Sequence, residues 1–470
     1  MVTRTVHALP PEPIATMADF VAAGGTRGLD AARRLGPDGV IDEITAAGVR
    51  GRGGAGFPTG IKWRSLRDGT DHTDDTFVVI NAAEGEPGTF KDRALLRRNP
   101  YLVLEGALIA ANTLGATHVV VATKARYTAE IAAVERATRE FADAGLSDGI
   151  DVAIVGGPDH YLFGEETALL EVVEGEEPLP RHLPPYHYGL FTTSPQLGWS
   201  AGTDASTTGP TMLSSNPALV NNVETYAHVA LVCRHGADWY RSMGSTESPG
   251  PTIVTITGDV ERAVVTEVSL GAPLAEAIDE LAGGVRSGRA VKAVFSGVAN
   301  PALPADRIDA PISYEGMAAA GAGMGSAGFI VYDDTRNIVD VAYRLSMFLH
   351  VESCGQCNPC KTGTQAITAA LERIVDGRGD VAAIDAIRSR LRTVTDASRC
   401  YLPTQEQRLV ASVFEHFPDD VEERLRGFRG DLDIPIPKIA DITDGVAVLD
   451  EQAAHKRPDW TYAETVVRLG

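Results

Sequence analysis

The stretch T-F-V-V-I-N-A, residues 76–82, decides the fold. It is rich in β-branched side chains, reads as a buried strand, and runs directly into the turn-forming E-G-E-P-G of residues 84–88. Working outward, T-H-V-V-V-A-T (117–123) and D-V-A-I-V-G-G (151–157) repeat the pattern, with helices expected around 102–112 and 127–144 between them. Strands alternating with helices imply a doubly wound α/β domain. Upstream, apolar positions over 29–49 recur at helical spacing and stop at G-R-G-G-A-G-F-P-T-G, residues 51–60, which reads as a loop.

Downstream the composition changes three times. Residues 183–217 are rich in Pro, Gly, Ser and Thr and are expected to form a long surface loop. After Pro249, T-I-V-T-I-T-G, T-E-V-S-L and V-K-A-V-F-S-G read as short strands around a helix at 274–281, a small α+β module. From about residue 335 the spacing turns helical through 337–349, 362–375, 381–394 and 404–416, and the polar, proline-containing tail beyond Arg426 is expected to wrap a surface. The expected domains are therefore a helical cap over 1–65, an α/β domain over 66–248, an α+β module over 249–334, a helical bundle over 335–425 and a tail over 426–470.

A formal charge of −21 would repel nucleic-acid phosphates, and no basic stripe interleaved with aromatics offsets it. The most apolar run, YLVLEGALIAANTLGATHVVVA, is broken by Glu105, Asn112 and His118 before it reaches the roughly 20 residues a membrane span needs. Any membrane link must come through a partner. Nothing at the N-terminus resembles a secretory signal, and five cysteines in 470 residues are too few for a disulfide framework, so a reducing, cytoplasmic setting is expected.

Four of the five cysteines, Cys354, Cys357, Cys360 and Cys400, form the spacing C-x2-C-x2-C-x39-C. Thiolates at that spacing can complete a tetrahedral zinc site or hold the corners of a [4Fe-4S] cube. Three cysteines at i, i+3 and i+6 with a distant fourth look more like a cubane than the paired knuckles of zinc sites, although a structural zinc protein stays open on spacing alone. Cys233, within A-H-V-A-L-V-C, reads as a packed core thiol.

Five motifs, taken in order, resemble one family: G-R-G-G-A-G-F-P-T-G-x-K-W (51–63), N-A-A-E-G-E-P-G-T-F-K-D-R (81–93), Y-L-F-G-E-E-T-A-L (161–169), N-N-V-E-T (221–225) and S-C-G-Q-C-N-P-C (353–360). The family is the flavin-bearing 51 kDa (F-type) subunit of respiratory complex I, shared with NAD-linked hydrogenases and formate dehydrogenases. The resemblance implies an α/β and α+β multidomain protein with a helical cap, a Rossmann-like domain for FMN and the nicotinamide site, a ubiquitin-like (SLBB-like) β-grasp module, and a helical bundle carrying one [4Fe-4S] cluster. By the same resemblance Gly51, Arg52, Gly53, Lys62, Asn81, Glu84, Tyr161, Gly164, Glu165, Glu166, Asn221, Asn222 and Thr225 face the FMN. Phe57 and Glu86 belong to the clamp on the dinucleotide, and Glu84 and Glu165 are the candidate catalytic carboxylates.

Each residue type has a physical reason. Glycines let the backbone approach a phosphate or flavin ring, N–H groups at a helix start hold an anion, and Lys62 supplies a point charge. Asparagine pairs donate and accept, which suits ribityl hydroxyls and phosphate oxygens. Glu165 and Glu166 could accept from hydroxyls and orient a nicotinamide amide, or simply favour a helix N-terminus.

The family resemblance implies hydride transfer from nicotinamide C4 to flavin N5, then single electrons to the cubane and on to partners: a [2Fe-2S] 24 kDa-like subunit and an iron-sulfur or catalytic subunit. It also implies a cytoplasmic location, peripheral to the inner membrane through those partners. The chain departs from the family pattern at Ala83, where a carboxylate is usual, and at Ser65, Leu183 and Tyr186, where an aromatic, a lysine and a phenylalanine grip NADH. R-C-Y-L-P-T-Q-E (399–406) replaces the usual C-A-L-G-D. Arg64 could compensate in a pattern suited to NADPH, or be a surface arginine. Two readings follow: an NAD(P)H-reactive subunit of a complex I-like, formate-linked or hydrogen-linked enzyme, or an electron-relay and docking subunit with a degenerate nicotinamide site.

Overall fold

The computed structural model describes residues 2–69, 75–182, 184–186, 189–191 and 216–462. Strand Phe77–Ala82 lies inside a four-stranded parallel sheet ordered Asp151–Gly157, His118–Lys124, Phe77–Ala82, Ala218–Asn222. Val78, Val79 and Ile80 are completely buried, as a strand covered on both faces requires. The chain adds strands on one side of Phe77–Ala82 and then crosses to place Ala218–Asn222 on the other. That reversal opens a crevice at the carboxyl ends of two neighbouring strands, where Ile80 stands opposite Asn221 and Asn81 opposite Asn222.

Helices Pro100–Leu114, Val223–His235 and Arg27–Ala47 pack together over one face. Asn99 caps the first by accepting from Leu102 N–H, and Gly115 closes it at φ 71°. Buried along nearly its whole circumference, Pro100–Leu114 explains the apolar run as core. No helix among the described residues is long and apolar enough to cross a membrane. Helix Arg27–Ala47 is interrupted at Gly36, whose φ of 69° precedes Pro37. Its Val40, Ile41 and Ile44 share a core with Leu104, Leu108 and Val229, so the N-terminal helices are a wall of the α/β domain and not a separate cap. The expected boundary at residue 65 falls inside helix Thr59–Gly69, because Trp63 and Leu66 are completely buried in that same core.

The next unit is a six-stranded sheet ordered Arg4–Thr5, Val264–Ser269, Pro251–Gly258, Gly328–Asp333, Val291–Ser296, Leu303–Pro304. Pro251–Gly258 and Gly328–Asp333 run parallel side by side, and the remaining pairs are antiparallel. Helix Leu274–Ala282 lays Leu274, Ala277, Ile278 and Leu281 on the sheet's apolar face, the arrangement of a β-grasp. The N-terminus supplies the outer strand. The carboxylate of Glu267 fixes it, accepting from Thr5 Oγ1 at 2.7 Å, Ala8 N at 2.7 Å and Leu9 N at 2.8 Å.

Helices Ile338–Glu352, Asn358–Val375, Val381–Leu391, Leu402–His416 and Pro418–Leu425 form the bundle. Asn337 and Asp380 cap two of them, and the buried Arg424–Asp340 pair, 2.8 Å at both contacts, ties the last helix to the first. The tail then crosses back to the α/β domain as a hairpin, Ile439–Thr443 with Val446–Leu449, anchored where Arg93 Nη1 donates to Ile439 O at 2.7 Å.

Candidate active site and metal centre

Four segments meet at the crevice between Phe77–Ala82 and Ala218–Asn222. The glycine loop is closed by a 2.8 Å bond from Gly51 N–H to Phe57 O, and Arg52 N–H donates to Thr225 Oγ1 at 2.9 Å. Gly53 lies against Asn222, a built Cβ there coming 3.4 Å from Asn222 Cβ. Gly56 has φ 64°, and a Cβ there would stand 2.3 Å from the Tyr314 ring, so only glycine lets the loop pass. Phe57 remains 53% exposed at the tip. From helix Thr59–Gly69, Lys62 Nζ reaches Val220 O at 2.7 Å and Glu166 Oε1 at 2.5 Å. Asn81 Nδ2 donates to Gly164 O at 2.8 Å, which joins the strand end to the Tyr161–Gly164 turn.

Other residues singled out in the sequence take up supporting positions. The guanidinium of Arg52 is buried, donating to Tyr240 Oη at 3.1 Å and Pro251 O at 2.9 Å, so the side chain bolts the loop to the β-grasp unit while the backbone stays at the crevice. Glu84 is buried and accepts from Thr89 Oγ1, Asp92 N–H and Arg93 Nε at 2.9, 3.1 and 2.9 Å. Burial acts to raise its pKa, but the Arg93 guanidinium outweighs this and holds the carboxyl below its usual range. Glu165 is the N-cap of helix Glu166–Val173, accepting from Thr167 N–H at 3.0 Å and Ala168 N–H at 2.8 Å. With its amide set to satisfy both neighbours, Asn221 accepts from Trp63 Nε1 at 2.9 Å.

Beneath the crevice lies a charge network that the sequence did not reveal. Lys91, almost wholly buried, donates to Asp92 Oδ1 at 2.7 Å and Asn222 Oδ1 at 3.0 Å and pairs with Glu224 at 3.0 Å. Asn222 in turn donates to Asp92 Oδ2 at 2.7 Å. Burial pushes Asp92 up to about 6 despite Lys91. The signal in the sequence was K-D-R at the end of the second motif, charged residues in a stretch that must be covered.

Glu86, which the resemblance assigns to the dinucleotide clamp, points toward the β-grasp unit, accepting from Val298 N–H at 2.9 Å, with Tyr161 Oη 3.5 Å away. Burial pushes its carboxyl up to about 7. Arg64 is engaged by Asp38 at 2.9 Å and Asp42 at 2.5 Å on the outer surface. Ser65 lines the groove beside it, Tyr186 is exposed, and Leu183 lies outside the described residues, as does most of the 183–217 loop.

The four cysteines of the spacing line one cavity together with Leu162, Pro180 and Pro403. None is in a disulfide. Cys354 follows helix Ile338–Glu352, Cys357 caps Asn358–Val375, Cys360 lies in that helix's first turn, and Cys400 precedes Leu402–His416. Four thiols around one cavity are the donor set that a [4Fe-4S] cluster takes. Burial pushes the Cys360 and Cys400 thiols up to about 11 and about 12, so assembly of a metal centre there must displace protons. Cys233 is buried in the α/β core.

The crevice also fits a flavin nucleotide. A glycine loop with an exposed ring, a lysine at its mouth, and asparagines at two strand ends supply a stacking surface, a cation for phosphate and paired donors and acceptors for hydroxyls. Fold and site together define an iron-sulfur flavoprotein. Residues 44–231 match the Nuo51 FMN-binding domain family, and residues 340–424 match the NADH-ubiquinone oxidoreductase-F iron-sulfur binding region. The F-type subunit of NADH-quinone oxidoreductase from Rhodobacter capsulatus is 35% identical over 417 residues, covering 86% of this chain and 92% of the relative. Its Mycobacterium bovis counterpart is 34% identical over 414 residues, covering 86% and 88%. An NAD+-reducing [NiFe]-hydrogenase in its H2-reduced state superposes with TM-score 0.76 at 30% identity, covering 91% of this chain and 69% of that one. The chain belongs to the family of F-type subunits of NADH-quinone oxidoreductase, with an FMN-binding domain and a [4Fe-4S]-binding region.

Proposed function

We propose that this chain is the nicotinamide-oxidising, flavin- and cluster-bearing subunit of a multi-subunit oxidoreductase. One observation carries the reading. Leu162 lines the cysteine cavity while Gly164 holds Asn81 at the crevice, so one short turn belongs to both sites. Two residues of chain span at most about 7 Å. Bound FMN supplies the exchange between two-electron hydride chemistry and one-electron transfer. The residues of the chain do the positioning. Backbone N–H groups of the glycine loop and the Lys62 ammonium hold the anionic end of the nucleotide, and Asn81 and Asn222 orient its hydroxyls. The Phe57 ring offers a stacking face for a dinucleotide, and Glu86 an acceptor beside it. Glu84 and Glu165 serve through the helix starts they fix, keeping the 84–93 and 161–168 segments in place. A [2Fe-2S] 24 kDa-like subunit and a further iron-sulfur or catalytic subunit receive the electrons, and any tie to a membrane runs through them.

Ser65 and the engagement of Arg64 by Asp38 and Asp42 favour a second reading, in which the nicotinamide grip has been lost and the chain relays electrons between proteins. The test is anaerobic mixing of the cofactor-loaded protein with NADH, and separately NADPH, while flavin absorbance is followed. Rapid bleaching supports the first reading and gives the preferred nucleotide; no bleaching with FMN bound supports the second.

A further inference from the structure

The end of the tail closes over the join between the crevice and the cysteines. Lys456 is buried, with Nζ 2.8 Å from both carboxylate oxygens of Glu352, and it donates to Asp159 O at 3.0 Å. Glu352, 2% exposed, ends helix Ile338–Glu352 two residues before Cys354, and its Oε2 also accepts from Tyr161 N–H at 3.0 Å. Tyr161 opens the turn whose Leu162 lines the cysteine cavity and whose Gly164 holds Asn81. The tail is pinned again on either side of this pair. The Trp460 ring stacks on His160 with centroids 4.3 Å apart, and its Nε1 donates to Val351 O at 3.0 Å. Lys361, next to Cys360, donates to Ser353 O at 2.6 Å and Pro458 O at 2.7 Å. This tail lies outside both stretches matched to the family, 44–231 and 340–424.

We propose that Glu352, locked in place by Lys456 of the tail, is a positioning residue for electron transfer from flavin to cluster: its bond to Tyr161 N–H sets how the crevice turn stands against the cysteine loop. The proposal rests on the reading given above, with flavin in the crevice and a cluster on the four cysteines. A helix C-terminus disfavours a carboxylate, and burial adds a desolvation cost, so Glu352 stays turned inward because Lys456 compensates it. Held there, one carboxylate grips the start of the turn on one side and the approach to Cys354 on the other. Electron transfer falls steeply with the distance between donor and acceptor, and a misplacement of about 1 Å far from the reacting groups can cost about a hundredfold in rate. The step served is one electron leaving the reduced flavin and entering the oxidised cluster; the pair itself gains or loses neither electron nor proton.

The experiment uses the full cofactor-loaded chain without nucleotide or partner. A laser pulse reduces the flavin, with EDTA as the electron donor, and reduction of the cluster is followed by absorbance. Two double variants leave no charge stranded: E352Q/K456M keeps an acceptor for Tyr161 N–H, and E352A/K456M removes it. E352A/K456M is expected to slow cluster reduction about tenfold or more, with flavin content, iron content and the cluster's midpoint potential as in the wild-type chain. The electron paramagnetic resonance signal of the flavin radical, whose relaxation a nearby paramagnetic cluster quickens, is expected to relax more slowly in that variant. E352Q/K456M is expected to keep the wild-type rate. Wild-type rates in both variants, or equal slowing in both, overturn the positioning role. Loss of flavin or iron from E352A/K456M overturns it too, leaving the pair a structural one. Absence of a cluster signal from the reduced wild-type chain is a different failure, which overturns the cluster assignment and the proposal with it.

Discussion

Tyr161 Oη accepts a 2.8 Å hydrogen bond from Gln405 Nε2, and this pair joins the turn at the flavin crevice to the helix that follows Cys400. The Tyr161 ring also meets Phe348 edge-on at 5.2 Å, and its N–H donates to Glu352 Oε2 at 3.0 Å. Tyr161→Phe keeps the ring contact and removes the oxygen. Gln405 is buried, and its Oε1 is already without a partner, so losing the acceptor for Nε2 should cost about 1–3 kcal/mol. Thermal unfolding of the loaded protein checks this; an unchanged midpoint would mean the bond contributes nothing.

Glu86 sets a pH dependence. Its carboxyl is pushed up from 4.5 to about 7 by burial, only partly offset by the Val298 and Ala299 N–H groups. Between those values the folded chain holds a proton that the unfolded chain releases. The stability tied to this group is therefore present below about 4.5 and is lost as pH rises through about 7. Glu86→Gln should flatten that part of the stability profile. Under the nicotinamide-reactive reading it should also raise the KM for NADH with flavin content unchanged. Parallel urea titrations across pH, with steady-state kinetics, decide both.

The Glu84–Arg93 pair, 2.9 Å apart and buried at both ends, answers to a double substitution. Arg93→Met strands a buried carboxylate and should destabilise by about 3–5 kcal/mol, whereas Glu84→Gln combined with Arg93→Met should recover much of that loss. Equal stability of the single and double variants would show that Arg93 acts by packing on Phe90 and Tyr127 instead.

Cys400→Ser separates the metal readings. A cubane held by four thiolates should lose most of its iron and its brown absorbance in this variant, with FMN retained. Wild-type protein that contains zinc and no iron would instead point to the structural zinc site.

Gly56→Ala tests the loop. With φ at 64° and the Tyr314 ring 2.3 Å from the added Cβ, the loop must move. Flavin affinity should drop by about tenfold or more, equivalent to about 1.4 kcal/mol, while far-ultraviolet circular dichroism stays unchanged. Fluorescence titration of the stripped protein with FMN measures it, and an unaltered affinity would show that the loop's path does not matter to the nucleotide.

Much of the architecture was readable from local pattern. T-F-V-V-I-N-A forms a strand because its side chains are stiff at χ1 and apolar, and C-x2-C-x2-C brings its thiols to one place because a helix starts within it. The segments that the resemblance names meet at one crevice, but the roles of side chains within them were less legible. Arg52, Glu84 and Glu165 stand in the motifs, yet their charged ends go to a domain contact, an ion pair and a helix cap. A motif records that a residue is needed, not which of its atoms meets a ligand. The two-residue strand Arg4–Thr5 has no periodicity to detect; it exists because Val264–Ser269 offers an edge and Glu267 an acceptor.

What the sequence by itself determined is the set of elements and the ligand chemistry: spacing, side-chain shape and the need to bury apolar surface act within a few residues of one another. What only the tertiary structure decided is adjacency. Ala218–Asn222 beside Phe77–Ala82 creates the crevice, Tyr161–Gly164 connects it to the cysteines, and the tail returns to meet Arg93. These contacts join residues tens to hundreds of positions apart, and they form because burying Lys91, Asp92, Glu224 and Glu84 is tolerable only where each finds its partner.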